Sequence, residues 1–130
     1  MATLIPTLTL ASSDASSDTL ALTVTDTLTI VSPIINISTI TATTTGGDNI
    51  IVPNLDSPRY VYLKHTGLNS AGASSGADKV VVETADGTQI LELKTGEFAF
   101  FPFYAGGAGK LQLQTSANTV QVEYAYFTRG

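Results

Sequence analysis

Cysteine and tryptophan are absent, histidine occurs once, and only 13% of the 130 residues are charged. Without cysteine neither a disulfide nor a thiolate metal site can form, so stability has to come from a packed core or from contacts between chains. The single histidine, His65, cannot make a zinc site alone, and no carboxylates are patterned around it, so no metal or other cofactor is expected. The six basic residues, Arg59, Lys64, Lys79, Lys94, Lys110 and Arg129, are scattered along a chain of net charge −5. Nucleic-acid binding needs clustered cations that displace counterions, and attraction to an anionic membrane needs the same, so neither is an expected partner. There is no run of about 18 apolar residues that would span a membrane. The opening Met1-Ala2-Thr3-Leu4-Ile5-Pro6 places no Lys or Arg before its short apolar stretch, so no secretory signal is expected.

Threonine, serine and β-branched aliphatics fill the space that charge leaves, a composition suited to strands with a Thr-covered outer face. No segment carries a helical period. Leu4 to Leu10 alternates Thr with apolar residues and is interrupted by Pro6, which fits an edge strand or extended arm. The tandem Ala11-Ser12-Ser13-Asp14 and Ala15-Ser16-Ser17-Asp18 reads as a turn or linker, too poor in placed oxygen ligands for a cation loop. Residues 19–31 place Leu20, Leu22 and Val24 on one face. Asp26 falls in the apolar phase and predicts a bulge or turn at Asp26-Thr27 before Leu28 and Ile30 resume it. Ile35 and Ile37 share a phase that Ile40 has left, a second bulge signal, and Gly46-Gly47-Asp48-Asn49 reads as a loop.

Beyond residue 50, Tyr60 to His65 is a strand and Gly67 to Asp78 a Gly/Ser/Ala-rich loop. Lys79 to Leu93 is a hairpin with Asp86-Gly87 at its tip, a dipeptide that accepts the positive φ angles of a type I′ turn. A two-residue loop pairs Val82 with Leu91 and Val80 with Leu93, all on one face, with Glu83 and Glu92 on the other. Thr95-Gly96 then turns the chain into Glu97 to Tyr104, and a Gly-rich bend follows at Gly106-Gly107-Ala108-Gly109. A second hairpin is predicted from Lys110 to Phe127 with a loop at 116–119, pairing Leu113 with Val122 and Leu111 with Tyr124. Val120, Val122, Tyr124 and Tyr126 form its inward face. The sum is an all-β antiparallel sandwich, jelly-roll-like, with an extended N-terminal arm: residues 1–18 as arm and linker, 19–130 as one sandwich domain.

Three short motifs fail on context, and no catalytic residue is expected. Gly72-Ala73-Ser74-Ser75-Gly76 matches the nucleophile-elbow spacing, but that chemistry needs a following helix, and here a strand follows. Gly106 to Lys110 lacks the first Gly and the final Ser/Thr of a phosphate loop, with Tyr104 and Leu111 in those places. Asn36-Ile37-Ser38 is a glycosylation sequon that, with no secretory signal expected, reads as a chance match.

The aromatic run is the feature that asks for a function. Phe98, Phe100, Phe101, Phe103 and Tyr104 put rings on both faces of one strand. Either the strand is buried on both sides, or a loop covers its second face, or one face meets a partner chain, since interface cores favour aromatics. Tyr60, Tyr62, Tyr124 and Tyr126 offer a further reading as platforms for sugars.

Part of the chain resembles small structural proteins of tailed bacteriophages, including marine and cyanobacterial ones. The residues that carry this are Tyr60-Val61-Tyr62-Leu63-Lys64, Asp86-Gly87, Leu93-Lys94-Thr95-Gly96-Glu97-Phe98-Ala99-Phe100-Phe101-Pro102 and Val120-Gln121-Val122-Glu123-Tyr124. The resemblance covers about half the chain; the first 45 residues have no counterpart. It implies a virion β-sandwich that decorates or cements a capsid. Such a protein would bind the major capsid protein or other virion proteins as a homo-oligomer, trimer or dimer, and locate to the capsid surface. A tail, fibre or baseplate component and a glycan-binding module for host attachment are the alternatives. The expected contact residues are Thr3, Leu4, Ile5 and Leu8 on the arm, which can add a strand to a neighbouring sheet edge, and Phe98, Phe100, Phe101, Phe103 and Tyr104.

Overall fold

Alternating β-branched and aromatic residues favour extended backbone, and a sheet with one apolar face has to bury it against a second layer. The computed structural model describes residues 2–31, 37–45, 47, 49–53, 57–104 and 110–130 and has twelve strands and no helix among them. The first four strands are β1 (Ala2–Leu4), β2 (Thr7–Ser12), β3 (Leu20–Thr25) and β4 (Leu28–Ile30). Eight more follow: β5 (Ser38–Ala42), β6 (Ile50–Val52), β7 (Arg59–His65), β8 (Val80–Thr84), β9 (Gln89–Leu93), β10 (Phe98–Phe103), β11 (Leu111–Thr115) and β12 (Val120–Thr128).

The last eight strands form two four-stranded antiparallel sheets, in the orders β10-β7-β12-β5 and β6-β11-β8-β9. Their apolar faces meet in a core in which Val61, Leu63, Val80, Val82, Leu111, Leu113, Val120 and Val122 are fully buried. Phe101, Phe103, Tyr124 and Tyr126 pack around its margin. All seven connections except β8 to β9 pass from one sheet to the other.

The β8–β9 hairpin pairs Val80 with Leu93 and Val82 with Leu91, as the hydrophobic register predicts. Its tip differs. Gly87 has φ +85° while Asp86 does not adopt positive φ, Gly87 N–H donates to the Thr84 carbonyl, and Thr84 N–H donates to the Thr88 carbonyl. The loop is therefore three residues closed by a left-handed glycine, not a type I′ pair, and a bulge at Ile90 restores the register one step further on.

The predicted hairpin of β11 with β12 is wrong: β11 pairs with β6 and β8, and β12 with β5 and β7. Residues 116–119 form an arch between sheets. Leu113 and Val122 both point into the core, but from opposite layers, so the inward phase holds while the partners change.

Residues 2–30 form a ribbon of their own. β1 pairs with β4 and β2 with β3 in one unbroken register, Ala2 opposite Ile30 through Ser12 opposite Leu20. The predicted bulge at Asp26-Thr27 is absent, because no residue is inserted; the ladder only lapses beside Pro6, where Asp26 N–H still donates to the Pro6 carbonyl. The expected boundary after residue 18 lies in the ribbon's turn, where Ser12 Oγ accepts from the Asp14 and Ala15 amides. The ribbon joins the first sheet through the Ile30–Arg129 bridge, with Val31 N–H donating to Thr128 and Gly130 N–H to Thr29. Ile35, the sequon's Asn36, Gly46, Asp48 and the bend 106–109 lie outside the described residues.

Candidate functional site

Residue parity sorts the first sheet into two faces. In β7, Val61, Leu63 and His65 point to the core, and Tyr60, Tyr62 and Lys64 point outward. In β10 the core side takes Ala99, Phe101 and Phe103, leaving Phe98 and Phe100 outside. The outer face is therefore aromatic: the Tyr60 and Phe100 rings stack at 6.1 Å, and the Arg129 guanidinium sits 5.3 Å from the Tyr60 centroid. Tyr62 Oη donates to Glu123 Oε1 at 2.7 Å. Burial, that hydrogen bond and the Glu123 charge together push the Tyr62 phenol up to about 12.

The base of the ribbon meets this face. Leu4 and Pro6 line a cavity of about 230 Å³ with Tyr62, Phe100, Ala125 and Phe127. Further along, Pro6, Leu8 and Val24 line an open groove of about 420 Å³ with Phe98 and Phe100, and Asp26 is its one charged lining residue. The second face of the aromatic strand is thus covered in part by the ribbon, which answers one of the alternatives left open by the sequence. β10 is an edge strand, not a central one, and Pro102 removes one of its donors.

Beyond the groove the ribbon loses its support. Leu8 stands opposite Val24 and Leu10 opposite Leu22, all on the side that carries Leu4 and Leu28 at the base. All four are 42–52% exposed. The other side carries Thr7, Thr9, Thr23 and Thr25. A two-stranded hairpin is marginal in water without a third strand or a packed face. Phe98 is 63% exposed beside it, and Phe100 is exposed as well. The result is one apolar surface running from the rim of the first sheet onto the ribbon, larger than the scattered apolar residues of an ordinary protein surface.

Of the expected contact residues, Leu8, Phe98 and Phe100 lie on this surface. Leu4 is half-buried beneath the ribbon base. Thr3 and Ile5 are exposed and of the opposite parity, and Tyr104 is exposed at the end of β10. Phe101 and Phe103 pack against the core. The arm is already a strand partner of β3, so strand addition is open to it only along its outer edge. Leu10, Leu22 and Val24 were not among the expected contacts. Their shared phase with Leu8 was visible, but it identifies a common face only once β2 and β3 are known to pair.

The polar groups cluster elsewhere, at the end of the sandwich. Thr43, Thr44, Asn69, Ser74, Ser75, Asp78, Asn118 and Thr119 line a cleft of about 410 Å³. Most of them hold loops: Asn69 Oδ1 accepts from the Ala71 and Ala73 amides, Thr119 Oγ1 from Ser70, and Ser74 Oγ from Gly76. Ser75 Oγ and Asp78 Oδ2 are buried without a partner among the described residues. His65 is buried behind them. Its Nδ1 accepts from Gly67 N–H at 3.0 Å and its Nε2 lies 2.9 Å from the Asp78 carbonyl, so the ring is held as the Nε2–H tautomer by backbone, not by Ser74. No family model, curated protein or solved structure matches this chain.

Proposed function

We propose that this chain is a non-catalytic virion structural protein, a capsid decoration (cement) protein that binds the outer capsid surface as a homo-oligomer and stabilises it. The observation that carries the reading is the continuous apolar surface formed by the ribbon and the Phe98–Phe100 rim. On a protein with so little charge, that surface is where burial against a neighbour gains most. The strand order supports a jelly roll. Counting from β5, the sheets run first-eighth-third-sixth and second-seventh-fourth-fifth, so that hairpin-like pairs wrap the sandwich in two Greek keys. Capsid proteins use that architecture, as do lectins and small-molecule-binding barrels, so it is the exposed surface that selects among them. The resemblance to tailed-phage structural proteins in residues 60–124 points the same way. Binding that spans adjacent capsid subunits would stabilise the shell by mass action.

Purified capsids lacking the protein test this. Added protein should bind at a fixed stoichiometry and raise the capsid melting temperature, and Phe98→Asp should abolish both. Failure to bind capsids while co-purifying with tails would move the assignment to a tail, fibre or baseplate component. A glycan-binding reading rests on one specific observation, the polar cleft that Asn69, Ser74, Ser75 and Asp78 line. It predicts glycan-array signal lost in Asp78→Ala. The tyrosines first considered for stacking sugars are engaged: Tyr124 and Tyr126 pack against the core and Tyr60 stacks on Phe100.

A further inference from the structure

We infer that the overhanging stripe of the ribbon, Leu8, Leu10, Leu22 and Val24, together with the Phe98 and Phe100 rim, is covered by the same surface of a second copy of this chain. This rests on the assembly reading above and names the partner of that surface. Three observations select a second copy over other occupants.

The first is continuity. The ribbon side that bears the stripe packs at its base, through Leu4 and Pro6, on the outer aromatic face of its own first sheet. The stripe continues past the point where that sheet ends at β10. The surface able to take the overhang in the same way is another rim of the same kind. The exchange is reciprocal, each copy supplying a stripe and receiving one, which gives a closed assembly.

The second is charge. Each copy carries a net charge of −5, so contact between copies is opposed everywhere that acidic groups face each other. The four stripe residues lie on strands that carry no charge: within residues 2–25 the only charged residues are Asp14 and Asp18, both in the ribbon's turn, and the one carboxylate lining the groove is Asp26, at its ribbon-base end. A basic partner would find a single anionic match along the groove, Asp26.

The third is area. From their exposures, the six side chains present on the order of 500 Å² of apolar surface. One side of a standard interface is roughly 800 Å², a little over half of it apolar, or about 450 Å². The surface is thus the right size for one full protein contact. Side-chain packing, not strand addition, makes the contact, because Pro102 interrupts the free edge of β10.

The test is the mass of the full chain by native mass spectrometry and sedimentation velocity, from nanomolar to high micromolar concentration. The wild type should form a closed oligomer. The pair Leu10→Asp/Leu22→Asp, on the ribbon, and Phe98→Asp, on the sandwich, should each dissociate it to a monomer with unchanged far-ultraviolet circular dichroism. Because the two variants sit on separate elements, misfolding of one leaves the other decisive. A wild-type monomer throughout, or an oligomer that survives both variants, overturns the inference. So does a monomer that floats with neutral phosphatidylcholine vesicles through the stripe. A wild-type monomer that binds capsids would sink this inference and leave only the capsid-binding part of the proposed function standing; an oligomer that ignores capsids would uphold this inference and sink the capsid assignment.

Discussion

Tyr62 and Glu123 are joined across β7 and β12 by a phenol-to-carboxylate hydrogen bond beneath the edge of the ribbon. Because the folded phenol ionises near 12 against an ordinary 10.0, the folded state favours its neutral form. That contribution is fully present below pH 10 and is lost as the pH rises through about 12, where the folded phenol also ionises. Tyr62→Phe should therefore remove the last phenolate step in an absorbance titration and flatten the fall in stability over that alkaline window. Asp86 behaves oppositely. The Thr84 hydroxyl and then the Thr88 amide hold its carboxylate down at about 2, so its contribution is present above pH 4 and lost as the pH falls towards 2. Gly67 and Gly87 both occupy the left-handed region, at φ +79° and +85°, but only Gly67 has a neighbour in the way, Thr95 Cγ2 at 2.9 Å from an added Cβ. Gly87→Ala should cost about 1 kcal/mol in urea unfolding, and Gly67→Ala about 2 kcal/mol or more. Thr95→Ser, which keeps the hydroxyl that donates to the Gly76 carbonyl, should recover most of the difference.

At the scale of the element, local chemistry and long-range pairing separate cleanly. The β8–β9 hairpin was legible because its turn residues and its apolar phase lie within fifteen residues of each other and agree; even with the turn type wrong, the register survived. The β11–β12 link was not. A four-residue connection between two inward-facing apolar runs satisfies the same pattern whether it folds back within a sheet or arches over the core, and only partners distant in sequence, Val52, Thr84, Ala42 and Leu63, decide between the two. The ribbon shows the same limit. The Thr/apolar alternation of both its strands was plain, yet nothing within either strand says that residue 2 meets residue 30. Hence Thr3 and Ile5 entered the expected contact set beside Leu8 although they point the other way. A consequence for energetics follows. Gln112 Nε2 donates to Glu83 Oε1 at 2.9 Å between β11 and β8, and both side chains are buried. Gln112→Leu would leave Glu83 buried without that donor, and should destabilise by about 2 kcal/mol in chemical denaturation.

For the molecule as a whole, the core and the exposed surface should part under mutation. Leu113 is fully buried between the sheets, so Leu113→Ala should cost about 3 kcal/mol of unfolding free energy. Leu10→Ala, on the overhang, should cost under about 0.5 kcal/mol in the dissociated chain, while weakening assembly. That contrast is what separates a hydrophobic residue kept for folding from one kept for a neighbour. The same division runs along the strand Phe98 to Phe103: odd positions build the sandwich, even positions face outward. The most direct test is electron cryo-microscopy of virus particles purified from cells that produce this chain. The proposed function predicts density for the two-sheet sandwich on the outer shell, with the Leu8–Leu10 stripe and Phe98 enclosed by adjacent subunits. A chain absent from the particle, or one seated there with the stripe and Phe98 open to solvent, would contradict it.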